Sequence, residues 1–245
     1  MIISIVNQKG GTGKTTTSIN LGRALLDEGK SVLLIDLDAQ GSLSYSLSID
    51  QKNTLSDLVS GDISFKDIVA EREGMMILPS DISLAEIELG MASEENRETI
   101  LKGLLAGFPS FDLVIIDCPP TLSLLTVNAL GASDLVIIPM QLEVLSLQGL
   151  DLITNTIGRI QSGINPSLKV LGVLPVMVDN RRKLTSEVLD HIASNYEHPI
   201  FKTSIRPNVR ASEAPSFGQS VIEYAPESNS AQDYRLLAKE VLKLI

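Results

Sequence analysis

The chain has 245 residues, 44% of them hydrophobic and 20% charged, which suits one α/β domain with a sizeable core and is short for two. No apolar run approaches the ~20 residues of a membrane helix, and one cysteine, Cys118, makes neither an internal disulfide nor a two-cysteine metal clip, so it reads as a small buried residue in a reducing compartment, the cytoplasm. The net charge of −10 divides into −11 over residues 1–149 and +1 over residues 150–245, so nucleic acid would have to meet a local basic face.

The N-terminus has no basic leader or cleavage site and reads as a strand, Ile2–Val6, not a signal peptide. It runs into Asn7-Gln8-Lys9-Gly10-Gly11-Thr12-Gly13-Lys14-Thr15-Thr16. The end of this stretch follows G-x-x-x-x-G-K-[ST], but Gln8 stands where the pattern wants glycine, and Lys9 is a lysine it does not ask for. A helix over 15–28 follows, and strand, glycine loop and helix together are the context that confirms a phosphate loop over a chance glycine-rich turn. Gly10, Gly11 and Gly13 free the backbone to aim N–H groups at phosphate oxygens, aided by the helix dipole. Lys14 should reach the β- and γ-phosphates, and Thr15 should offer its hydroxyl to Mg²⁺.

Glu28-Gly29-Lys30 is a glycine helix stop feeding a second strand, Val32–Ile35, which ends in Asp36-Leu37-Asp38. Extended geometry puts Asp36 and Asp38 on one side. Either one of them orients water near the γ-phosphate, or the pair is an exposed strand end. Residues 42–74, rich in Ser, Asp and Gly, read as an insertion or mobile stretch. A helix over 99–106 precedes strand Leu113–Ile116, whose closing Asp117 fits a Walker B acid holding Mg²⁺ through water, with a turn or capping acid as the plainer reading. Strand Leu135–Ile138, helix 147–161, strand Val170–Val176 and helices 184–195 and 230–244 complete the series. These nearly continuous apolar strands predict an α/β fold: a doubly wound, mostly parallel sheet flanked by helices, in a single domain over 1–245. Ligands of such sheets bind at the carboxyl ends of the strands. Nothing before the first strand could form a DNA-reading domain.

At this point the residues resemble a known family. Lys9–Thr16 looks like the deviant Walker A motif, K-G-G-x-G-K-[ST]-[ST], of ParA/MinD-type P-loop ATPases. Asp36–Gly41 resembles the family's D-x-D-x-Q-G segment, and Asp117-Cys118-Pro119-Pro120 its D-x-P-P segment. Residues 208–218, NVRASEAPSFG, are similar to a stretch of the small chromosomal ParA (Soj) branch. The match runs in order over nearly the whole chain.

The resemblance implies an ATP- and Mg²⁺-dependent hydrolase whose ATP-bound form is a sandwich homodimer. Lys9 would contact phosphate in the partner subunit's site, as an arginine finger does, in contrast to a Lys9 that only solvates its loop. Lys14 would be catalytic beside it. Asp38 would orient the attacking water or help the metal site, and Asp117 would be the Walker B acid. Segments 38–45 and 117–125 would sense the γ-phosphate. Gly10, Gly11, Thr12, Gly13, Thr15 and Thr16 would cradle the nucleotide, with adenine near Met177 and the turn Ile205-Arg206-Pro207-Asn208. The branch usually reads I-P-R-N there, and it often has an aromatic residue where this chain has Val144.

A partitioning role is then expected: nonspecific DNA binding by the ATP dimer on the nucleoid, and release when a ParB-like protein stimulates slow hydrolysis. Arg181, Arg182, Lys183, Lys202 and Arg210, with Lys239 and Lys243 as additions, form the candidate DNA face; ordinary solvated charge is the competing reading. Positioning of a protein assembly is an alternative cargo. A MinD-like membrane cycle is another alternative, but the amphipathic C-terminus reads as a closing helix, so no membrane partner is expected. Relatives that carry iron–sulfur clusters need cysteine ligands that Cys118 alone does not supply.

Overall fold

A computed structural model of the chain describes residues 1–61, 63–179 and 181–245. Among these residues seven strands form one sheet: β1 (Ile2–Ile5), β2 (Val32–Asp36), β3 (Ala70–Arg72), β4 (Met75–Leu78), β5 (Leu113–Asp117), β6 (Leu135–Gln141) and β7 (Lys169–Val176). Their spatial order is β3-β4-β2-β5-β1-β6-β7. Every neighbouring pair is parallel except β3–β4, an antiparallel edge hairpin. The register sets Ile5 beside Asp117, and Asp117 beside Asp36, so the strands carrying the loop and the two acids end level with one another.

Alternation along each strand builds two cores. Leu33, Ile35, Val114 and Ile116 face one side, while Val32, Leu34, Leu113 and Ile115 face the other. Helices α3 (Leu55–Ser60), α4 (Phe65–Ile68), α5 (Ser83–Met91), α6 (Ile100–Ala106), α7 (Leu124–Ala132), α8 (Val144–Gly163) and α9 (Lys183–Asn195) contribute to the first core. The second core takes α1 (Lys14–Asp27), α2 (Ser42–Ser46), α11 (Val221–Tyr224) and α12 (Asn229–Leu244). The short α10 (Val209–Glu213) lies between β7 and α11 in the chain. Tyr234, Leu237, Ala238 and Val241 of α12 are buried, so this amphipathic helix turns its apolar face inward. Among the described residues no helix is long and apolar enough to cross a membrane.

Two expectations need correction. Residues 42–74 are not one loose stretch: α2, α3, α4 and β3 lie within them. Their Ser and Asp content serves helix starts, because Asp57 accepts the Thr54 N–H at 2.8 Å and Asp67 accepts the Ser64 N–H at 2.9 Å. The second strand also stops at Asp36, so Asp36 and Asp38 do not share one extended face. Asp36 is buried and accepts from the Ser44 N–H at 2.9 Å and the Ser44 hydroxyl at 2.8 Å. Asp38 turns instead into a loop, where its Oδ1 accepts the Gln40 N–H at 3.0 Å.

Candidate nucleotide site

The loop between β1 and α1 opens at the carboxyl end of the sheet. Gly11 and Gly13 have φ of 72° and 73°, a left-handed backbone that glycine adopts without the Cβ penalty. A Cβ on Gly10, Gly11 or Gly13 would meet nothing within 4 Å; the backbone there borders open space. That space is a cavity of about 450 Å³ lined by residues 10–16 together with Asp38, Gln40, Ser42, Pro120 and Met177. The structure thus brings Asp38 to the phosphate loop, on the segment that was expected to sense phosphate.

Thr15 Oγ1 donates to Asp117 Oδ2 at 2.7 Å, and Ser18 Oγ donates to Asp117 Oδ1 at 3.0 Å. Burial and the neighbouring Asp36 charge push the Asp117 carboxyl up to about 7, against the pull of these two hydrogen bonds. Burial raises Asp36 to about 6. Lys14 is lowered by burial, which outweighs the attraction of Asp117. Two acids crowded beside a desolvated lysine form a site short of positive charge and long on oxygen donors. A hard divalent cation on Thr15 and Asp117, with a polyphosphate over Lys14 and the loop N–H groups, would supply what is missing.

Lys9 behaves differently from Lys14. Its Nζ does not line the loop's own cavity. It reaches Glu143 Oε2 at 2.9 Å and stands 3.5 Å from Ser146 Oγ, at the start of α8. Its backbone stays in the loop: Lys9 N–H donates to Asn7 Oδ1 at 2.9 Å, and Lys14 Nζ donates to the Lys9 carbonyl at 3.3 Å.

Beside the phosphate cavity lies a second one of about 430 Å³, bordered by Gly13, Thr16, Met177 and the turn containing Arg206, Pro207 and Asn208. The two cavities share Met177, whose φ of 53° is strained for a residue with a side chain. Arg206 borders the second cavity, but its guanidinium is bound to Asp233, with contacts from 2.6 Å. The turn is therefore presented through its backbone and Asn208.

The expected DNA residues do not line one cavity. Arg181 pairs with Asp179, Lys183 with Glu187 and Arg210 with Glu213. Lys202 lies in a groove of about 750 Å³ with Arg206, Lys239 and Lys243; Arg181, Arg182, Lys183 and Arg210 do not line it.

Several site residues escape motif reading. Asn7 is buried and donates to the Pro139 carbonyl at 2.7 Å, and Gln141 Nε2 donates to the Gly11 carbonyl at 3.1 Å. Ser18 and Glu143 belong to the same group. The signal for Ser18 was helical spacing, one turn after Lys14; the others depend on how β6 lies against β1.

Residues 1–170 match the family model described as an AAA domain. The chain is 43% identical over 246 residues to the sporulation initiation inhibitor protein Soj of Bacillus subtilis, covering 98% of this chain and 97% of that protein. It is 38% identical to the chromosome-partitioning ATPase Soj of Treponema pallidum, over 97% of this chain and 95% of the relative. Among solved structures it is similar to a Mycobacterium smegmatis protein described as cobyrinic acid a,c-diamide synthase with bound ADP and magnesium. That TM-score is 0.88 at 36% identity, covering 99% of this chain and 94% of the other.

Proposed function

The chain belongs to the Soj/ParA family of partitioning ATPases, and from that premise we propose that it is a two-subunit ATP switch that holds DNA in its ATP state. ATP and Mg²⁺ are its cofactors, and it is a partitioning ATPase. The observation that carries the two-subunit reading is the direction of Lys9: its Nζ lies on Glu143, 2.9 Å away, not in the cavity of its own loop. A cation turned away from its own loop's cavity supports the reading that it serves a second subunit's phosphates.

The chain's own residues divide the work. Loop N–H groups and Lys14 bind the β- and γ-phosphates, and the burial that lowers Lys14 strengthens each interaction it makes there. Thr15 and Asp117 would hold Mg²⁺, which when bound would neutralise charge on the transferring phosphoryl group. Asp38, half-buried at the cavity wall, orients the attacking water. Lys9 from the facing subunit offsets the charge that develops. The ADP form then loses the contacts that pair the subunits, and a ParB-like protein accelerates this slow step.

DNA retention on the nucleoid falls to the groove lined by Lys202, Arg206, Lys239 and Lys243. The ammonium groups of Lys202 and Lys243 have no carboxylate within 4 Å among the described residues, although Asp233 and Glu240 also line the groove. Pairing two chains would bring two such grooves to one DNA, which offsets the net charge of −10. A membrane cycle is disfavoured because α12 commits its apolar face to the core.

Light scattering with ADP and with ATP, on wild type and Lys9→Ala, tests the switch. A dimer that needs both ATP and Lys9 is expected. Monomers in every condition, or DNA retention equal with ADP and ATP, would sink it.

A further inference from the structure

The cavity beside the phosphate loop contains one fully buried polar side chain that, among the described residues, the fold itself does not use. Three polar side chains on its wall are committed. Arg206 holds Asp233, and Asn208 Oδ1 accepts the Arg210 N–H at 2.9 Å. The Tyr234 hydroxyl lies 3.4 Å from Thr17 Oγ1. Ser230 differs. It lines the cavity, it is fully buried, and its Oγ has no hydrogen-bond partner among the described residues. Native structures rarely leave a buried hydroxyl unpaired, because the desolvation cost is then not repaid.

The helix does not need this oxygen either. Ser230 sits in the first turn of α12, where the Ser228 hydroxyl already accepts the Ala231 N–H at 3.2 Å. Around Ser230 the wall is largely apolar, with Val176, Ile205, Pro207 and Val209. A flat aromatic ring with polar atoms on its edge suits such a slot, whose wall is largely apolar and carries a buried hydroxyl. The Arg206–Asp233 pair ties the 205–208 turn to α12, and the Arg206 N–H also donates to Asp233 at 3.0 Å. That pair sets the separation of the two walls.

We propose that the Ser230 hydroxyl hydrogen-bonds the purine ring of the bound nucleotide. A hydroxyl turns about one bond and can either donate to a ring nitrogen or accept from an exocyclic amine. The proposal rests on the reading of the site as one for ATP. It also makes Ser230, which lies outside the recognised motifs, a residue that contacts the ligand.

The test is titration calorimetry of the full chain and its Ser230→Ala variant, with ADP–Mg²⁺ and with pyrophosphate–Mg²⁺, alongside melting without nucleotide. The expected result is an ADP affinity reduced about three- to tenfold in the variant. Pyrophosphate affinity should stay at the wild-type value and the nucleotide-free melting temperature should not fall, because the lost oxygen had no partner in the protein. An unchanged ADP affinity in Ser230→Ala overturns the proposal while leaving the ATP reading intact. Equal loss for ADP and pyrophosphate overturns it too, since the effect would then be structural. Wild-type protein that binds neither ligand sinks the ATP reading and this contact with it.

Discussion

At the scale of single residues, the pairs around the loop make opposite predictions. Lys9–Glu143 is half-exposed, with side chains 36% and 49% accessible, and pairs of that kind contribute about 0–1 kcal/mol. Glu143→Ala should therefore leave stability almost untouched and shift the ATP-driven monomer–dimer midpoint by no more than about fivefold, toward the dimer. Sedimentation at graded concentrations would show it. Asp117 is the reverse case. Its carboxyl is raised from 3.8 to about 7, so the folded chain keeps a proton that the unfolded chain releases between those values. Stability of the nucleotide-free protein should fall as pH rises through that window and level off above it. Asp117→Asn should then melt at least about 2 °C higher than wild type at pH 8, while losing Mg²⁺-dependent hydrolysis. A variant that melts lower at pH 8 would contradict the assignment. Lys14, Thr15 and Asp117 were legible because their chemistry depends on residue type at fixed spacing. The Glu143 partner of Lys9 was not, since 134 residues separate them.

At the scale of elements, the segment after β2 is held by backbone fit. Gly41 has φ of 60°, and a Cβ there would stand 2.9 Å from the Ser80 carbonyl oxygen. Gly41→Ala combines left-handed strain with a backbone clash, so a loss of about 1–3 kcal/mol is expected by urea unfolding. ATP hydrolysis should fall with it, because Asp38 sits on the same segment. The five main parallel strands could be read from the sequence as continuous apolar runs. The hairpin β3–β4 could not, as β3 is three residues long and only half-buried. Helix α7 was missed for a different reason: almost all of it is buried, so no amphipathic period marks it. The serines and aspartates of 42–74 pointed to loops because caps and turns use the same residues.

At the scale of the molecule, the charge distribution frames the prediction for DNA. An acidic chain should bind DNA only through a local surface, and the groove by α12 gathers Lys202, Arg206, Lys239 and Lys243. Replacing Lys202 and Lys243 with Glu should abolish ATP-dependent retention on nonspecific duplex without changing ATP affinity. Neutralising either alone should weaken retention and lower the slope of log affinity against log salt by about 1. Fluorescence anisotropy across a salt series measures both. A slope unchanged by either substitution would move the DNA face elsewhere, with the 181–183 cluster next in line. Sequence proximity alone grouped Arg181, Lys202 and Arg210. In the fold Lys202 lies against α12, where its N–H donates to Glu240, while Arg181 and Arg210 each have a local acid.

The stretch from Pro139 to Ser146 has a consequence of its own. It braces Asn7 with a carbonyl, holds the Gly11 carbonyl through Gln141, and anchors Lys9 through Glu143 and Ser146. These eight consecutive residues thus meet the loop at three of its residues, and the last three of the eight are the start of α8, where Val144 and Leu145 are exposed. The arrangement is a short lever with its fulcrum at the phosphates. A partner pressing on the outer end of α8 would not need a relay through the core, because the same piece of chain it touches already grips the loop.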